Sequence, residues 1–202
     1  MKQDTLAPWA EPVPDAPFPM TADELLTRPD DGWMYELIEG RLVRMPGSGG
    51  ETSLIALDLA AALLAYAKPR KLGRLTGADG TFDLTQPGDT YETALVPDVA
   101  FVRADRVPAR TSPEFAKAWR LAPDLVAEVV SPSQYRPEMA AKAKRYLEAG
   151  VRLVWIIWPK YQQVDVWRSG ADQPTATLSI GGALDGMDVL PGFSYSLSDL
   201  FE

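Results

Sequence analysis

The stretch "PDLVAEVVSP", residues 123–132, decides the fold. Leu125, Val126, Ala127, Val129 and Val130 make a short apolar run between two prolines, the pattern of a buried strand. Glu128 stands in its middle. Upstream, "VPDVAFV" (96–102) shows a similar pattern, with Asp98 at the mouth of an apolar strand. A carboxylate in such a place costs desolvation energy unless it is paired or holds a cation. The two acids therefore call for partners or for an ion.

Composition narrows the chemistry. The chain has 202 residues, the size of one ordinary domain. Residues 1–19, "MKQDTLAPWAEPVPDAPFP", read as an extended proline-rich arm without an apolar signal segment, and residues 20–202 as a single domain. Apolar residues make up 46% and charged residues 24%, a globular balance rather than a disordered one. No uninterrupted apolar run approaches the roughly 18 residues of a membrane span, so no membrane association is expected and the cytoplasm is the expected location. Cysteine and histidine are both absent. That removes disulfides, zinc-thiolate sites, cysteine nucleophiles, the Ser-His-Asp triad and histidine bases. Carboxylates, lysine, tyrosine, serine or a hard metal ion must carry any reaction, and oxygen ligands suit Mg²⁺, Mn²⁺ or Ca²⁺. The net charge of −8 argues against indiscriminate nucleic-acid binding but leaves room for a local basic surface.

Around the two acids the elements follow from local signals. Thr21 and Glu24 form a capping box, so a short helix starts near Ala22. "WMYELIEGRLVRM" (33–45) reads as a hairpin turning at Glu39-Gly40. "ETSLIALDLAAALLAYA" (51–67) is a long helix, with Leu54, Leu57, Ala61, Leu64 and Ala65 predicted as the face that packs on a sheet. "GRLTGADGTFDL" (73–84) supplies strand, and "SPEFAKAWR" after Ser112 a short helical turn. Pro137 opens a helix that ends before Gly150. "VRLVWIIWP" (151–159) is a buried strand with "QQVDVWR" (162–168) as its hairpin partner, and the tail reads as short strands. The mixture is α/β: a central mixed sheet with one long helix and one or two others. Trp155 and Trp158 are expected in the core or at an interface.

Carboxylates on two adjacent strands can share a divalent ion, which lowers the pKa of bound water and offsets phosphate charge. A nearby lysine can stabilise the charge that develops. This set is the minimum for phosphodiester hydrolysis without histidine. "PD" at 97–98, the glutamate of "AEVVSPS" and "AAKAKRYLEAGVRLVWIIWP" resemble the Uma2 family, bacterial endonucleases of the PD-(D/E)XK superfamily. "YELIEGRLV", the long helix and "GADGTFDL" resemble it in the same order, over roughly residues 20–168.

The resemblance implies a restriction-endonuclease-like core: a central mixed β-sheet flanked by helices, with added β-hairpins. It implies a Mg²⁺-dependent DNA endonuclease, with Mn²⁺ as a substitute ion. Asp98 resembles the aspartate of the PD motif and Glu128 its second acid, both as metal ligands. Val130 occupies the strand position where the superfamily usually has lysine. The Uma2 pattern takes its lysine from the next helix, which implies Lys142, with Tyr146 below it. Glu36 in "YELIEG" resembles an acid that completes the metal shell. Where many members carry histidine at the start of the long helix, this chain has Glu51-Thr52.

Spacing alone leaves Lys142 and Lys144 open, because they flank the apolar face of Met139, Ala143, Tyr146 and Leu147 on opposite sides. Tyr146 is expected in the core. Lys68, Arg70, Lys71 and Arg74, then Arg103, Arg106 and Arg110, then Arg136, Lys144 and Arg145 bracket the proposed site in sequence. They are candidates for the DNA phosphate backbone, which positions a duplex without reading its sequence. Cutting two strands needs two sites, so a homodimer is expected. The alternative is a catalytically silent binding or assembly module that keeps the fold and a buried Glu–Lys pair. The discriminator is whether the acids meet on a cation-sized gap or are closed by salt bridges.

Overall fold

The structure is a computed structural model describing residues 12–45 and 47–202. Most of the proline-rich arm, residues 1–11, therefore lies outside the described residues. The arm's described end runs beside the hairpin: the Val13 N–H donates to Leu42 O at 3.0 Å, and the Met20 N–H to Gly40 O at 2.9 Å.

The elements run α1 (Ala22–Leu26), β1 (Tyr35–Ile38), β2 (Arg41–Arg44), α2 (Gly50–Ala67), β3 (Gly73–Thr76), β4 (Phe82–Asp83), β5 (Ala94–Leu95) and β6 (Val99–Arg103). They continue through β7 (Leu125–Val129), α3 (Arg136–Glu148), β8 (Leu153–Trp158), β9 (Gln163–Arg168), β10 (Ala176–Ser179), β11 (Ala183–Asp185), β12 (Ser194–Ser196) and α4 (Leu197–Leu200). The central sheet has the order β10-β9-β8-β7-β6-β3, and a smaller sheet has the order β2-β1-β5-β4. β7 and β8 run parallel, while β6–β7 and β8–β9 are antiparallel, so the sheet is mixed. A parallel neighbour requires a crossover, and α3 is that crossover.

Local chemistry explains these choices. Thr21 and Glu24 exchange both bonds of the capping box. The β1–β2 turn places Glu39 at φ 50° and Gly40 at φ 73°. A two-residue hairpin turn of this type needs two successive left-handed residues. Pro137 sits in the first turn of α3, and Gly150 at φ 103° ends the chain's run beyond it.

Each face of the central sheet carries its own core. α3 and the small sheet cover one face, where Ile38, Phe82, Leu95, Val126, Tyr146 and Val154 meet. α2 and the C-terminal elements cover the other, where Leu59, Leu63, Phe101, Ala127, Trp155 and Phe193 meet. Alternation along β7 sends Leu125, Ala127 and Val129 toward α2, and Val126 and Glu128 toward α3. The core strand carries an acid because that one position faces a lysine and a tyrosine of α3. Trp155 is core as expected, and Trp158 is buried with its Nε1–H donating to Asp165 at 2.8 Å.

α2 corrects the sequence reading. Its buried face is Thr52, Ile55, Leu59, Leu63 and Ala67. Leu54, Leu57 and Leu64, expected on the sheet, are 63%, 65% and 45% exposed. The helix is apolar on two opposite sides, so periodicity offered two stripes of similar quality. The sheet selects the stripe flanked by Ala56 and Ala60, small enough for close approach. By length and composition α2 also matches a membrane span, although the sequence showed no such uninterrupted run.

Candidate active site

The step Pro97–Asp98 is where the chain leaves one sheet for the other. β5 belongs to the small sheet and β6 to the central one. Pro97 cannot donate to a ladder, so pairing stops there and the strand is free to cross. Two carboxylates clamp the crossing. Glu36 Oε1, from β1, accepts the Val96 N–H at 3.0 Å. Asp98 Oδ2 accepts the Val129 N–H, at the end of β7, at 2.7 Å.

Lys142 closes the group from α3. Its Nζ lies 3.0 Å from Glu36 Oε1 and 3.0 Å from Glu128 Oε1. One turn later, the Tyr146 hydroxyl donates to the same Glu128 oxygen at 2.6 Å. Glu36, Glu128 and Lys142 are all buried, and Asp98 is half-buried at their edge. All four residues implied by the resemblance thus come together from four separate segments. The geometry also separates the two lysines: Lys142 is inside, and Lys144 is half-buried with no ion pair among the described residues.

Electrostatics follow from crowding three carboxylates on one ammonium. Burial pushes the Glu128 carboxyl up to about 8, against the pull of Lys142. Burial also raises Asp98, opposed by its bond from Val129. For Lys142, burial favours the neutral amine, but Glu128 and Glu36 outweigh it and hold the proton above the ordinary lysine range. Burial and then Glu128 raise the Tyr146 phenol, which therefore stays a donor. With every acid ionised, the cluster would carry an excess of negative charge that a proton or a cation must offset.

Two residues escaped the sequence reading. Tyr146 is core, as expected, but its hydroxyl is also part of the site. Glu138, one turn before Lys142, is buried and accepts from Gln134 Nε2 at 3.4 Å. The spacing Glu138–Lys142–Tyr146, four residues apart on one helix face, was the available signal.

A cleft of about 630 Å³ opens past the end of β7, lined by Glu51, Ser131, Tyr135, Arg136, Lys160 and Tyr161. Glu51 stands there at the start of α2, while Thr52 is buried and donates to Gly49 O. Several basic candidates are already engaged within the fold. Arg103 pairs with Asp105, Arg106 with Asp124, Arg136 with Asp165 and Arg145 with Glu39. Arg70 lies over the Tyr66 ring. Lys68, Lys71 and Arg74 have no ion pair among the described residues.

The donor set suits a hard divalent cation: it is all carboxylate oxygen, with no imidazole or thiolate. The bonds above use one oxygen each of Glu36, Glu128 and Asp98, so each carboxylate has a second. The arrangement nevertheless centres on the ammonium, and no ready metal-holding cluster of three acids occurs among the described residues.

The fold is a nuclease-like α/β domain. The model of the Uma2 family, described as "Putative restriction endonuclease", matches residues 22–198, and the chain belongs to that family. A crystal structure of a "putative nuclease belonging to DUF820" from Anabaena variabilis ATCC 29413 is similar, with a TM-score of 0.74 and 26% identity. The similarity covers 91% of this chain and 98% of that one. No curated protein matches the chain.

Proposed function

We propose that the chain is a Mg²⁺-dependent DNA endonuclease, with Mn²⁺ as a substitute ion, that hydrolyses phosphodiester bonds at Asp98, Glu128, Lys142 and Glu36. The observation that carries this reading is the charge imbalance: Glu36 and Glu128 both pair with one ammonium, and a third carboxylate, Asp98, lies half-buried at their edge. A structural ion pair needs one acid, not three. Asp98 and Glu128 would hold the ion, with Glu36 in support. The ion's chemistry is to acidify bound water and offset phosphate charge.

The chain's own residues do the rest. Lys142, fixed by two carboxylates, presents a permanent positive charge to the attacking water or the scissile phosphate. Tyr146 holds Glu128 in one orientation. Asp98, the half-buried member at the edge, is where a phosphate would reach the cluster. The cleft past β7 brings Arg136 and Lys160 to the same end of the strand.

One observation favours a second reading. Lys142 bridges Glu36 and Glu128 like a structural ion pair, as a silent binding or assembly module would retain it.

Cleavage of supercoiled plasmid with Mg²⁺, Mn²⁺ or EDTA separates the two. The expected result is metal-dependent nicking that Asp98→Ala and Lys142→Ala each abolish. Nicking that survives both substitutions places the activity elsewhere. No nicking, with no Mn²⁺-induced rise in melting temperature, makes the silent module the better reading.

A further inference from the structure

The second apolar face of α2 has no use in the site. Leu54, Leu57, Ala61, Leu64 and Ala65 are exposed in one line along the helix, half a turn from the stripe that packs on the sheet. Three exposed leucines on a single helix face are more than scattered surface apolar residues. An 18-residue helix that is apolar on both sides is expected to be covered on both sides. The sheet covers one.

We propose that the cover is a second copy of this chain, with the two α2 helices crossing antiparallel, stripe against stripe. The charges at the rim choose this occupant. Glu51 and Asp58 border the stripe in its N-terminal part, and both are exposed. Burial and the nearby charges of Asp58, Asp199 and Glu202 raise the Tyr195 phenol, so the C-terminal segment adds to the same acidic border. Lys68 and Lys71 are exposed where α2 ends, with Arg70 between them. The helix is acidic toward its start and basic at its end. An antiparallel copy lays each acidic half over the other's basic end, as a two-fold axis requires of a self-complementary surface. A parallel arrangement would set like charges together. Ala61 and Ala65, between the leucines, let the helices approach closely.

This pairing rests on the surface alone and not on the nuclease reading, because a silent module would keep the same stripe. Light scattering on the full chain, at concentrations on the order of 100 μM, reads it directly. The expected mass is twice the 22.1 kDa of one chain. Leu57→Glu and Leu54→Lys, both at exposed positions, should each return the mass to one chain with an unchanged circular dichroism spectrum, and with the concentration dependence of the melting temperature lost. Glu51→Lys should weaken the dimer, and adding Lys68→Glu in the same chain should restore it. A wild-type monomer overturns the proposal. So does a dimer that survives both leucine substitutions, because its interface then lies elsewhere. If single substitution weakens the dimer and the double swap does not restore it, the antiparallel orientation fails. A monomer that binds phosphatidylglycerol vesicles through Leu57 assigns the stripe to a lipid surface instead. Plasmid nicking is scored separately, so a monomeric nuclease and a dimeric inactive protein remain distinguishable.

Discussion

The Lys142 ammonium lies 3.0 Å from Glu128 Oε1, with both side chains inside the core. Breaking a buried ion pair from one side strands the other charge. Above about pH 8, where Glu128 is ionised, Lys142→Met should therefore cost about 3–5 kcal/mol of unfolding free energy. The double variant Lys142→Met with Glu128→Gln should recover part of that loss. Urea titrations of the two single variants, the double variant and the wild type give the coupling. A loss within 0.5 kcal/mol, the size of a neutral surface change, would mean that Lys142 is not held as described.

The pH dependence of stability has a sign fixed by Glu128. Its folded carboxyl is raised from 4.5 to about 8, so the folded state binds the extra proton between those values. Stability is greatest below the unfolded value and falls as pH rises through that window. The slope for this group is on the order of 1 kcal/mol per pH unit. Asp98, also raised by burial, adds in the same direction at lower pH. Melting temperatures from pH 5 to 8 should fall for the wild type and fall less for Glu128→Gln. An equal slope in both proteins would assign the protons to other groups.

Tyr146→Phe removes one donor and almost no volume. The lost bond to Glu128 should cost about 1–2 kcal/mol. It should also move the pH window upward, because the hydroxyl helps hold Glu128 ionised. Thermal melts across pH detect both effects. A destabilised variant with an unmoved window would make Tyr146 a packing residue only.

Gly40→Val tests the hairpin that carries Glu36. Gly40 sits at φ +73°, and an added Cβ would lie 3.0 Å from Pro19 Cβ and 3.2 Å from Tyr91 Cβ. The expected cost is about 1–3 kcal/mol from backbone strain together with crowding. Gly32→Val is the matched comparison, with φ +79° and nothing within 4 Å of the added Cβ. It should cost less, as measured by urea titration. Equal costs would show that the contacts with Pro19 and Tyr91 do not matter.

Much of this was legible before any coordinates. The acid in "LVAEVV" announced a buried partner or an ion, and Asp98 after Pro97 was read at the mouth of an apolar strand. The turn at Glu39-Gly40 and the ends of α3 followed from residues with strong backbone preferences. What periodicity could not give was a choice between equivalent faces. α2 offered two apolar stripes, and only the sheet's own shape selected one. The same limit applied to Lys142 and Lys144, which flank one helix face symmetrically. Nor did local pattern show that "GRLTGADGTFDL" divides between two sheets, because that depends on distant strands.

The two sheets joined at Pro97–Asp98 also set an order of assembly. Glu128, Lys142 and Tyr146 belong to one local unit, β7–α3–β8, whose contacts close over short loops. Glu36 and the Val96 N–H that it grips come from a different part of the chain and arrive only when the small sheet docks. A chain emerging from the ribosome thus exposes Glu36 and Asp98 long before Lys142 has been made. The complete cluster first exists when both sheets are seated on each other. An unfinished or partly unfolded copy has its acids apart, so the buried cluster is completed only when the small sheet docks.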